Sequence, residues 1–556
     1  MKFSAAKAKL PSPVNALLAL LSAILLTLSF PDFDWWFLAW FALVPLFFAI
    51  EREKESVVKS FVLGWIFGIC FFFGTCWWLT FAPIIYGGVP SVIAYLLLFI
   101  VTLIVGLFPA IFSAIFSLLL KRFGTYAIFA TPFLWTATEF LRFNLTGNSW
   151  NAIGYSQAFN SGILKYASVG SVYLATFLVV LTGLWLFLIA YSILYFYGQF
   201  FAKFFRNILN IQKGIQAGII SIDEPPIIKN KKSLIIAFVG FWIFSAVLDY
   251  SLPLNNISES NKKVSAEVVA VQPNVPMNGL KFNEWENLRQ RHVELAENAL
   301  NKEQRTNDEG QSTIIIFPES PMNFMYEDDR EFQTFITNFA VKNNVSVLFN
   351  SAQPNLKSTN FYNSAVMINP KGEKIGQYDK IHLVPFGEYV PLPEPIAAIV
   401  PTMVGNFEIG NKYDLLQFGE AKGGIMICFE SHFPSLSREF VRNGADVLIE
   451  MTNDGYLGET PILRQHLANA VFRAVETNRP VLRVTNVGIT AYINERGEIS
   501  DATKPYTEDT RVWTVKQSDG SQTVYVKYGD WFAWLCSIIS LFLLFWSLWK
   551  GKKIQK

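Results

Sequence analysis

The first 250 residues consist mainly of apolar runs that are long enough to cross a lipid bilayer. A bilayer core needs about 20 apolar residues in helical conformation, and in lipid a helix satisfies its own backbone polar groups. We therefore predict an α-helical membrane domain. With one further apolar run near the end of the chain it gives about eight transmembrane helices, over residues 14–30, 35–50, 58–82, 91–120, 124–141, 167–199, 233–250 and 530–549.

Lysine and arginine are distributed unevenly between the short loops of this region. The loops near 31–34 and 83–90 contain none, whereas the loops on the opposite side contain most of them. Loops rich in lysine and arginine stay in the cytoplasm. We therefore expect both termini to be cytoplasmic and residues 253–528 to lie across the membrane. The first apolar run lacks a small-residue cleavage signal, and we interpret it as a retained helix.

Residues 253–528 differ from the rest because they have the composition of a soluble domain. The whole chain has only 16% charged residues, against about 25% in soluble proteins, and its net charge of +2 gives no reason to expect nucleic acid. Short β-branched segments alternate with amphipathic ones, which predicts an α/β layered domain. The predicted strands are 264–272, 313–319, 345–351, 363–370, 424–430, 446–453 and 480–486, and the predicted helices are 283–301, 329–343, 434–443 and 460–477.

These patterns divide the chain into three parts. Residues 1–252 form a helical domain with seven spans, 253–528 form the outer domain, and 529–556 form the last span with a basic tail.

One cysteine of the four lies in the outer domain. Cys428 follows the apolar part of GGIMICFESHFP, residues 423–434, while Cys70, Cys76 and Cys536 lie in predicted spans. A free cysteine is usually buried and inert. A nucleophilic one needs a base to accept its proton and a positive charge nearby. Both interpretations of Cys428 remain open at this point.

Two other residues could complete such a site. Glu319 ends an apolar strand in FPES, and Lys380 lies in YDKIHLVPFGEY. Each alone is typical of a capping or a solvated residue, but functional groups gather at the carboxyl ends of strands in α/β domains. His432 is close to Cys428 in sequence without an assured geometry. No metal site is expected, because the histidines show no ligand spacing: His292, His382, His432 and His466.

The segments FPES, YDKIHLVPFGEY and ICFES together resemble the Glu-Lys-Cys triad of the nitrilase, or carbon–nitrogen hydrolase, superfamily. With the helical half and its TEFLR and GYSQ segments, the whole chain resembles the apolipoprotein N-acyltransferase family. The resemblance implies a nitrilase-like αββα sandwich domain on the periplasmic face of a bacterial inner membrane. It also implies that Glu319 is the general base, Lys380 the cation that stabilises the oxyanion, and Cys428 the nucleophile.

The same resemblance implies the substrates. They would be a phospholipid acyl donor and an apolipoprotein whose N-terminal cysteine carries diacylglycerol, with no cofactor. Glu388 and Glu430 match further acidic positions of the family's site. Phe429, Tyr456 and Phe282 stand where the family often has tyrosine or tryptophan. All three remain aromatic, so the departures concern lipid preference rather than the reaction.

Several alternatives stay open. The outer domain could be a membrane-tethered amidase or nitrilase that hydrolyses a small amide, or a catalytically inactive module that binds lipoproteins or serves as a scaffold. Residues 138–157, which contain Glu139 and Arg142, could be an interfacial anchor or could line an entrance from the lipid. The apolar loop 389–407 could dip into the membrane as a lid or pack on the domain itself.

Overall fold

The computed structural model describes residues 10–31, 33–209, 263–277, 282–302, 312–319, 324–355, 358, 360–391 and 406–554. The predicted span 233–250 and most of the loop 389–407 lie outside these residues, so both predictions stay untested.

The first part of the described chain is helical. Its α-helices are α1 Pro13–Leu28, α2 Ala39–Ala42, α3 Val44–Arg52, α4 Val57–Cys76, α5 Phe81–Ile85, α6 Ser91–Val105, α7 Leu107–Phe123, α8 Thr131–Thr146, α9 Ser161–Leu164 and α10 Ala167–Leu209. Helix α10 contains a break in helical geometry at Gly170 and Ser171.

Four helical stretches of the described residues are long and apolar enough to cross a membrane. They are Val57–Ile85, Ser91–Phe123, Ala167–Ile193 and Trp531–Trp549. Pro13–Leu28 is apolar but shorter. The predicted spans 35–50 and 124–141 are each divided, because 3-10 turns at Trp36–Leu38 and Gly124–Ala130 interrupt them. The number of eight transmembrane helices therefore stays a prediction.

The outer domain contains two β-sheets. The first sheet has seven strands in the order β13-β1-β2-β3-β4-β5, with β6 paired to β4, and the second has six strands in the order β12-β11-β10-β9-β8-β7. The strands are β1 Val264–Gln272, β2 Ser312–Ile316, β3 Ser346–Pro354, β4 Phe361–Ile368, β5 Lys374–Asp379, β6 Phe407–Glu408, β7 Leu415–Phe418, β8 Ala421–Ile427, β9 Val447–Thr452, β10 Val481–Thr485, β11 Ala491–Ile493, β12 Ile499–Ser500 and β13 Asp509–Lys516.

Helices cover the outer face of each sheet. The remaining helices are α11 Phe282–Lys302, α12 Arg330–Asn343, α13 Pro434–Arg442, α14 Ile462–Thr477, α15 Val524–Tyr528 and α16 Trp531–Ile554. Alternate residues of strand β1 separate the layers: Val269 packs with the residues of α11 and α12, whereas Val268 belongs to the core between the sheets. The result is the predicted four-layer αββα sandwich.

The sequence predictions for this domain are close to the structure. All four predicted helices are present, as α11 to α14, and all seven predicted strands are present, as β1 to β4 and β8 to β10. Strands β5, β6, β7, β11, β12 and β13 were not predicted; of these, β13 pairs antiparallel with β1 at the edge of the first sheet.

Candidate active site

The three candidate catalytic residues follow three different strands and meet between the two sheets. Glu319 follows β2, Lys380 directly follows β5, and Cys428 directly follows β8. Strands β2 and β5 belong to the first sheet and β8 to the second. The cluster is largely enclosed, since Glu319 is 9% exposed and Lys380 is 1% exposed.

Lys380 lies between two carboxylates. Its Nζ atom is 2.9 Å from Glu388 Oε1 and 3.6 Å from Glu319 Oε1. Burial opposes the positive charge of Lys380, but the carboxylates of Glu388 and Glu319 outweigh it and raise the lysine pKa above its ordinary value. Lys380 is therefore a fixed cation, bound more closely by Glu388 than by Glu319.

Asn363 joins the two carboxylates from strand β4. Its amide donates hydrogen bonds to Glu319 Oε1 at 3.0 Å and to Glu388 Oε1 at 2.6 Å. The second oxygen of Glu388 accepts the backbone N–H of Val384 at 2.8 Å, which holds the loop after Lys380. Both oxygens of Glu388 are thus engaged in structural contacts, whereas the Glu319 carboxylate also interacts with the Cys428 thiol.

The thiol of Cys428 is protonated at rest. Burial raises its pKa well above the ordinary value, the nearby Glu319 charge raises it further, and Lys380 acts in the opposite direction. Burial also raises the pKa of Glu319, against the lowering effect of Lys380. A partly buried thiol beside a carboxylate is an arrangement in which the carboxylate can accept the thiol proton.

Cys428 has an unusual backbone conformation. Its φ angle is +53°, which is uncommon for a residue other than glycine and costs of order 1–3 kcal/mol. It begins a 3-10 turn over Cys428–His432 directly after β8. The surrounding contacts must hold this conformation in place.

Glu430 connects the ends of strands from both sheets. It accepts hydrogen bonds from the Tyr378 hydroxyl at 2.8 Å and from the backbone N–H groups of Ile381, His382 and Ile427 at 2.7, 3.0 and 2.8 Å. These contacts fix the loop that carries Lys380 against the turn that carries Cys428. Burial raises the pKa of Glu430 to about 7.

Aromatic side chains surround the cluster. Burial raises the pKa of the Tyr456 hydroxyl, and the charges of Glu319 and Glu388 raise it further. The Phe429 ring stacks on His432, with ring centroids 5.5 Å apart. Phe282 is the first residue of α11, and the prediction about its side chain lies outside what the structure describes.

His432 is not placed as the base for Cys428. Its Nε2 atom accepts the backbone N–H of Ser149 at 3.1 Å, so that nitrogen carries no proton. Burial lowers the pKa of His432 well below its ordinary value, so the ring is neutral.

The segment 138–157 packs inside the protein. Glu139 is 7% exposed and accepts hydrogen bonds from Trp135, Ile153 and Thr176. Arg142 donates hydrogen bonds to the carbonyl oxygens of Trp150 and Ser149. The interpretation as an interfacial anchor is wrong for Trp150 and Tyr155, because both are buried, 8% and 3% exposed.

Gln465 of α14 connects the outer domain to the helical half. Its Oε1 atom accepts the indole N–H groups of Trp78 at 3.1 Å and Trp150 at 2.9 Å. Its amide nitrogen donates to the carbonyl oxygens of Pro31 and Thr75, each at 3.1 Å. The candidate site therefore lies in a domain that is bonded directly to the helical half.

A second buried charged cluster contacts the backbone of Cys428 through His466, and sequence reasoning missed it. It contains Glu450, Asp454, His466 and Arg483, of which Glu450 and Arg483 are 0% exposed. A signal was present in the sequence, because Glu450 and Arg483 interrupt the apolar strands DVLIEMTN and PVLRVTN. A charge inside a buried strand needs a partner.

The chain matches two family models that follow each other along the sequence. Residues 22–185 match the apolipoprotein N-acyltransferase N-terminal domain, and residues 268–525 match carbon-nitrogen hydrolase. The second match covers the sandwich domain and the three candidate catalytic residues.

Curated relatives match almost the whole chain. An apolipoprotein N-acyltransferase of Geobacter metallireducens is 30% identical over 525 residues, which cover 94% of this chain and 92% of the relative. The chain belongs to the apolipoprotein N-acyltransferase family. A relative of the same name in Thermotoga maritima is 28% identical, over 97% of this chain and 95% of its own length.

Among solved structures, Saccharomyces cerevisiae Nit3, a member of branch 10 of the nitrilase superfamily, is 18% identical with a TM-score of 0.35. The match covers 46% of this chain and 91% of that one.

Family membership implies lipid and lipoprotein substrates, and with the four long apolar helices it identifies a membrane protein.

Proposed function

We propose that the chain transfers an acyl chain from a phospholipid to the α-amine of the diacylglyceryl-cysteine at the N-terminus of apolipoproteins. The shared name of its relatives supports this activity. The observation that carries the proposal is the cluster of Glu319, Lys380 and Cys428 in a domain bonded to apolar helices.

The first half of the proposed reaction forms a thioester. Glu319 accepts the proton of the Cys428 thiol while the sulfur attacks an ester carbonyl carbon of the phospholipid. Lys380 and the backbone N–H of Phe429 stabilise the oxyanion that forms. The carbon–oxygen bond then breaks, and the leaving lysophospholipid oxygen takes the proton from Glu319. The acyl chain remains bonded to the sulfur.

The second half transfers the acyl chain to nitrogen. The α-amine of the acceptor attacks the thioester carbonyl carbon, and Glu319 accepts a proton from that amine. The carbon–sulfur bond breaks, and the proton passes to the Cys428 sulfur, which restores the thiol. The product is an amide, which is more stable than a thioester, so this half runs downhill.

The helical half explains why the proposed substrates are lipids. Moving an acyl chain from lipid into water costs about 0.8 kcal/mol per CH₂ group. A site in a domain that is hydrogen-bonded to apolar helices lets the acyl chains stay in an apolar environment. In this proposal the sandwich domain lies in the periplasm, the helices cross the inner membrane, and both termini are cytoplasmic.

A membrane-tethered amidase would use the same three residues, with water attacking the thioester. One helix would be enough to anchor such an enzyme, whereas this chain has four long apolar helices in its described part. The helical half therefore favours the acyltransferase.

Mass spectrometry of a lipoprotein N-terminus tests the proposal. The lipoprotein is isolated from cells that carry the chain, from cells that lack it, and from cells with Cys428→Ala. A third acyl chain, bound as an amide, is expected only in the first case. An amide-linked acyl chain in cells that lack the protein, or its absence in cells that carry it, would contradict the activity.

A further inference from the structure

His466 contacts the backbone carbonyl of the nucleophile, whereas Lys380 acts on its thiol. It lies on α14 and is 3% exposed. Its Nε2 atom is 3.0 Å from the carbonyl oxygen of Cys428, and its Nδ1 atom is 2.7 Å from Asp454 Oδ1. The proposed mechanism gives this buried histidine no role.

The contacts of His466 fix its protonation. A carbonyl oxygen can only accept, so Nε2 carries a proton. Asp454 binds Arg483 through its other oxygen at 2.6 Å and accepts from Nδ1, so Nδ1 carries a proton as well. With both nitrogens protonated, the ring is an imidazolium, and its hydrogen bond to Cys428 is charge-assisted.

Of the other charged groups around His466, Glu450 favours this state and Arg483 opposes it. Glu450 Oε1 lies 3.0 Å from Nε2, and Arg483 Nη2 lies 3.4 Å from Nδ1. His432 is neutral, as described above. Burial and Arg483 lower the pKa of His466, but Asp454 and Glu450 outweigh them and raise it to about 9.

The carbonyl oxygen of Cys428 belongs to the same peptide unit as the N–H of Phe429. A peptide unit is planar, and in its trans form the C=O and N–H bonds point in opposite directions. A contact that fixes the carbonyl on one side therefore also fixes the direction of the N–H on the other side. The N–H groups at the start of a helical turn have no partner within it, so this donor can serve a ligand.

We propose that His466 is a positioning residue that directs the Phe429 N–H toward the oxyanion by holding the Cys428 carbonyl oxygen. The proposal rests on the proposed function, because it concerns the oxyanion of that reaction. It also accounts for the positive φ angle of Cys428, a conformation that surrounding contacts must hold. The positive charge of His466, which is hydrogen-bonded to the carbonyl oxygen, further polarises the peptide unit and strengthens the Phe429 N–H as a donor.

Two reactions of the same thiol separate this role from a structural one. Acyl-enzyme formation from a labelled phospholipid needs an oxyanion donor, whereas alkylation of the thiol by iodoacetamide does not. Both rates are measured on the full-length protein in detergent, and alkylation is followed by mass spectrometry of the peptide that contains Cys428.

His466→Phe should lower the acylation rate about 10- to 100-fold, less than the roughly 10²- to 10³-fold loss on removing such a donor. Alkylation of Cys428 should stay within about twofold of the wild type, because the phospholipid oxyanion is absent from that reaction. His466→Gln, whose amide can donate to the carbonyl, should recover part of the acylation rate. Equal losses in both reactions, or no loss of acylation, would overturn the proposal.

Two further variants complete the experiment. Asp454→Asn keeps the size of the side chain, removes the charge that stabilises the imidazolium, and should lower acylation several-fold. The Asp454 charge also raises the pKa of the Cys428 thiol, so alkylation should not become slower. Unchanged acylation would contradict the role of the charge. His292→Leu removes a buried histidine on α11 and should leave both rates unchanged. Failure of the wild-type protein to form an acyl-enzyme would instead contradict the proposed function itself.

Discussion

Cys428 is in contact with two buried charged clusters that differ in their balance of charge. The front cluster, Glu319, Lys380 and Glu388, has two carboxylates and one cation. The back cluster, Glu450, Asp454, His466 and Arg483, has two carboxylates and two cations. When all groups are ionised, the front cluster has one excess negative charge and the back cluster has none.

This difference explains why one cluster suits chemistry and the other suits support. A balanced cluster has no tendency to take up a proton, so it can hold a backbone conformation over a wide pH range. An unbalanced cluster next to a thiol can accept the thiol proton, after which its own charge is balanced. The front cluster also contacts the Cys428 side chain, whereas the back cluster contacts its carbonyl oxygen.

Removal of the front cation should have the largest effect. Lys380→Met leaves two carboxylates buried without a cation, which is expected to lower the free energy of unfolding by about 3–5 kcal/mol. It also removes the proposed oxyanion cation, so acyl-enzyme should become undetectable. Thermal unfolding in detergent and labelling with a radioactive phospholipid measure the two effects. Normal labelling of a folded variant would remove Lys380 from the mechanism.

Removal of the excess negative charge of the front cluster should lower the acylation rate and leave the stability of the protein nearly unchanged. Glu319→Gln keeps an oxygen that can accept from Asn363 but cannot take the thiol proton. The acylation rate should fall about 10²- to 10⁴-fold, the usual contribution of a general base. The thermal midpoint should stay close to that of the wild type. A rate within threefold of the wild type would show that another group is the base.

The pH dependence should report the same carboxylate without a mutation. Burial raises the pKa of Glu319 above its ordinary value of 4.5, and the base must be unprotonated to act. The acylation rate should therefore fall as the pH drops through this raised pKa, and Glu319→Gln should abolish that acid limb.

Stability should change in the opposite direction. As the pH rises from 4.5 to the raised pKa, the unfolded chain loses the Glu319 proton first, so the free energy of unfolding should decrease. An acid limb of the acylation rate at or below pH 4.5 would contradict the raised pKa of Glu319.

The smallest effect is expected outside both clusters. Lys374 pairs with Glu327 at 2.6 Å, and its side chain is 31% exposed. Lys374→Met should change the free energy of unfolding by only about 0–1 kcal/mol and leave acylation unchanged. It is the matched control for Lys380→Met, because the same substitution is made at the other end of the same short segment. A loss as large as that of Lys380→Met would show that burial of the cation is not the cause.

The sequence alone was enough to predict the front cluster in part. Glu319 and Cys428 lie at the ends of apolar runs that were predicted as strands. Lys380 follows β5, which was not predicted, and was singled out by the segment YDKIHLVPFGEY. Asn363 could not be found in this way. It lies near the start of β4, which runs antiparallel to β3 and β5, and its position at the same edge depends on strand directions that the sequence does not give.

The back cluster required three-dimensional information. Glu450 and Arg483 lie on neighbouring strands, with Arg483 directly opposite Glu450 in the parallel register. His466 lies on a helix and reaches Cys428 across 38 positions of sequence. The sequence shows two charges in apolar strands, but only the pairing of β9 with β10 shows that they compensate each other.

The contacts of Gln465 have a consequence for engineering. One amide joins two tryptophans and two backbone carbonyl groups of the helical half, and it is 4% exposed. If the sandwich domain were expressed alone, this amide would lose all four partners together with the apolar surface around it. A water-soluble enzyme therefore cannot be made by truncation only. The helix that carries Gln465 would need a new polar surface. The contact that Trp150 of the helical half makes with this helix would also have to be replaced.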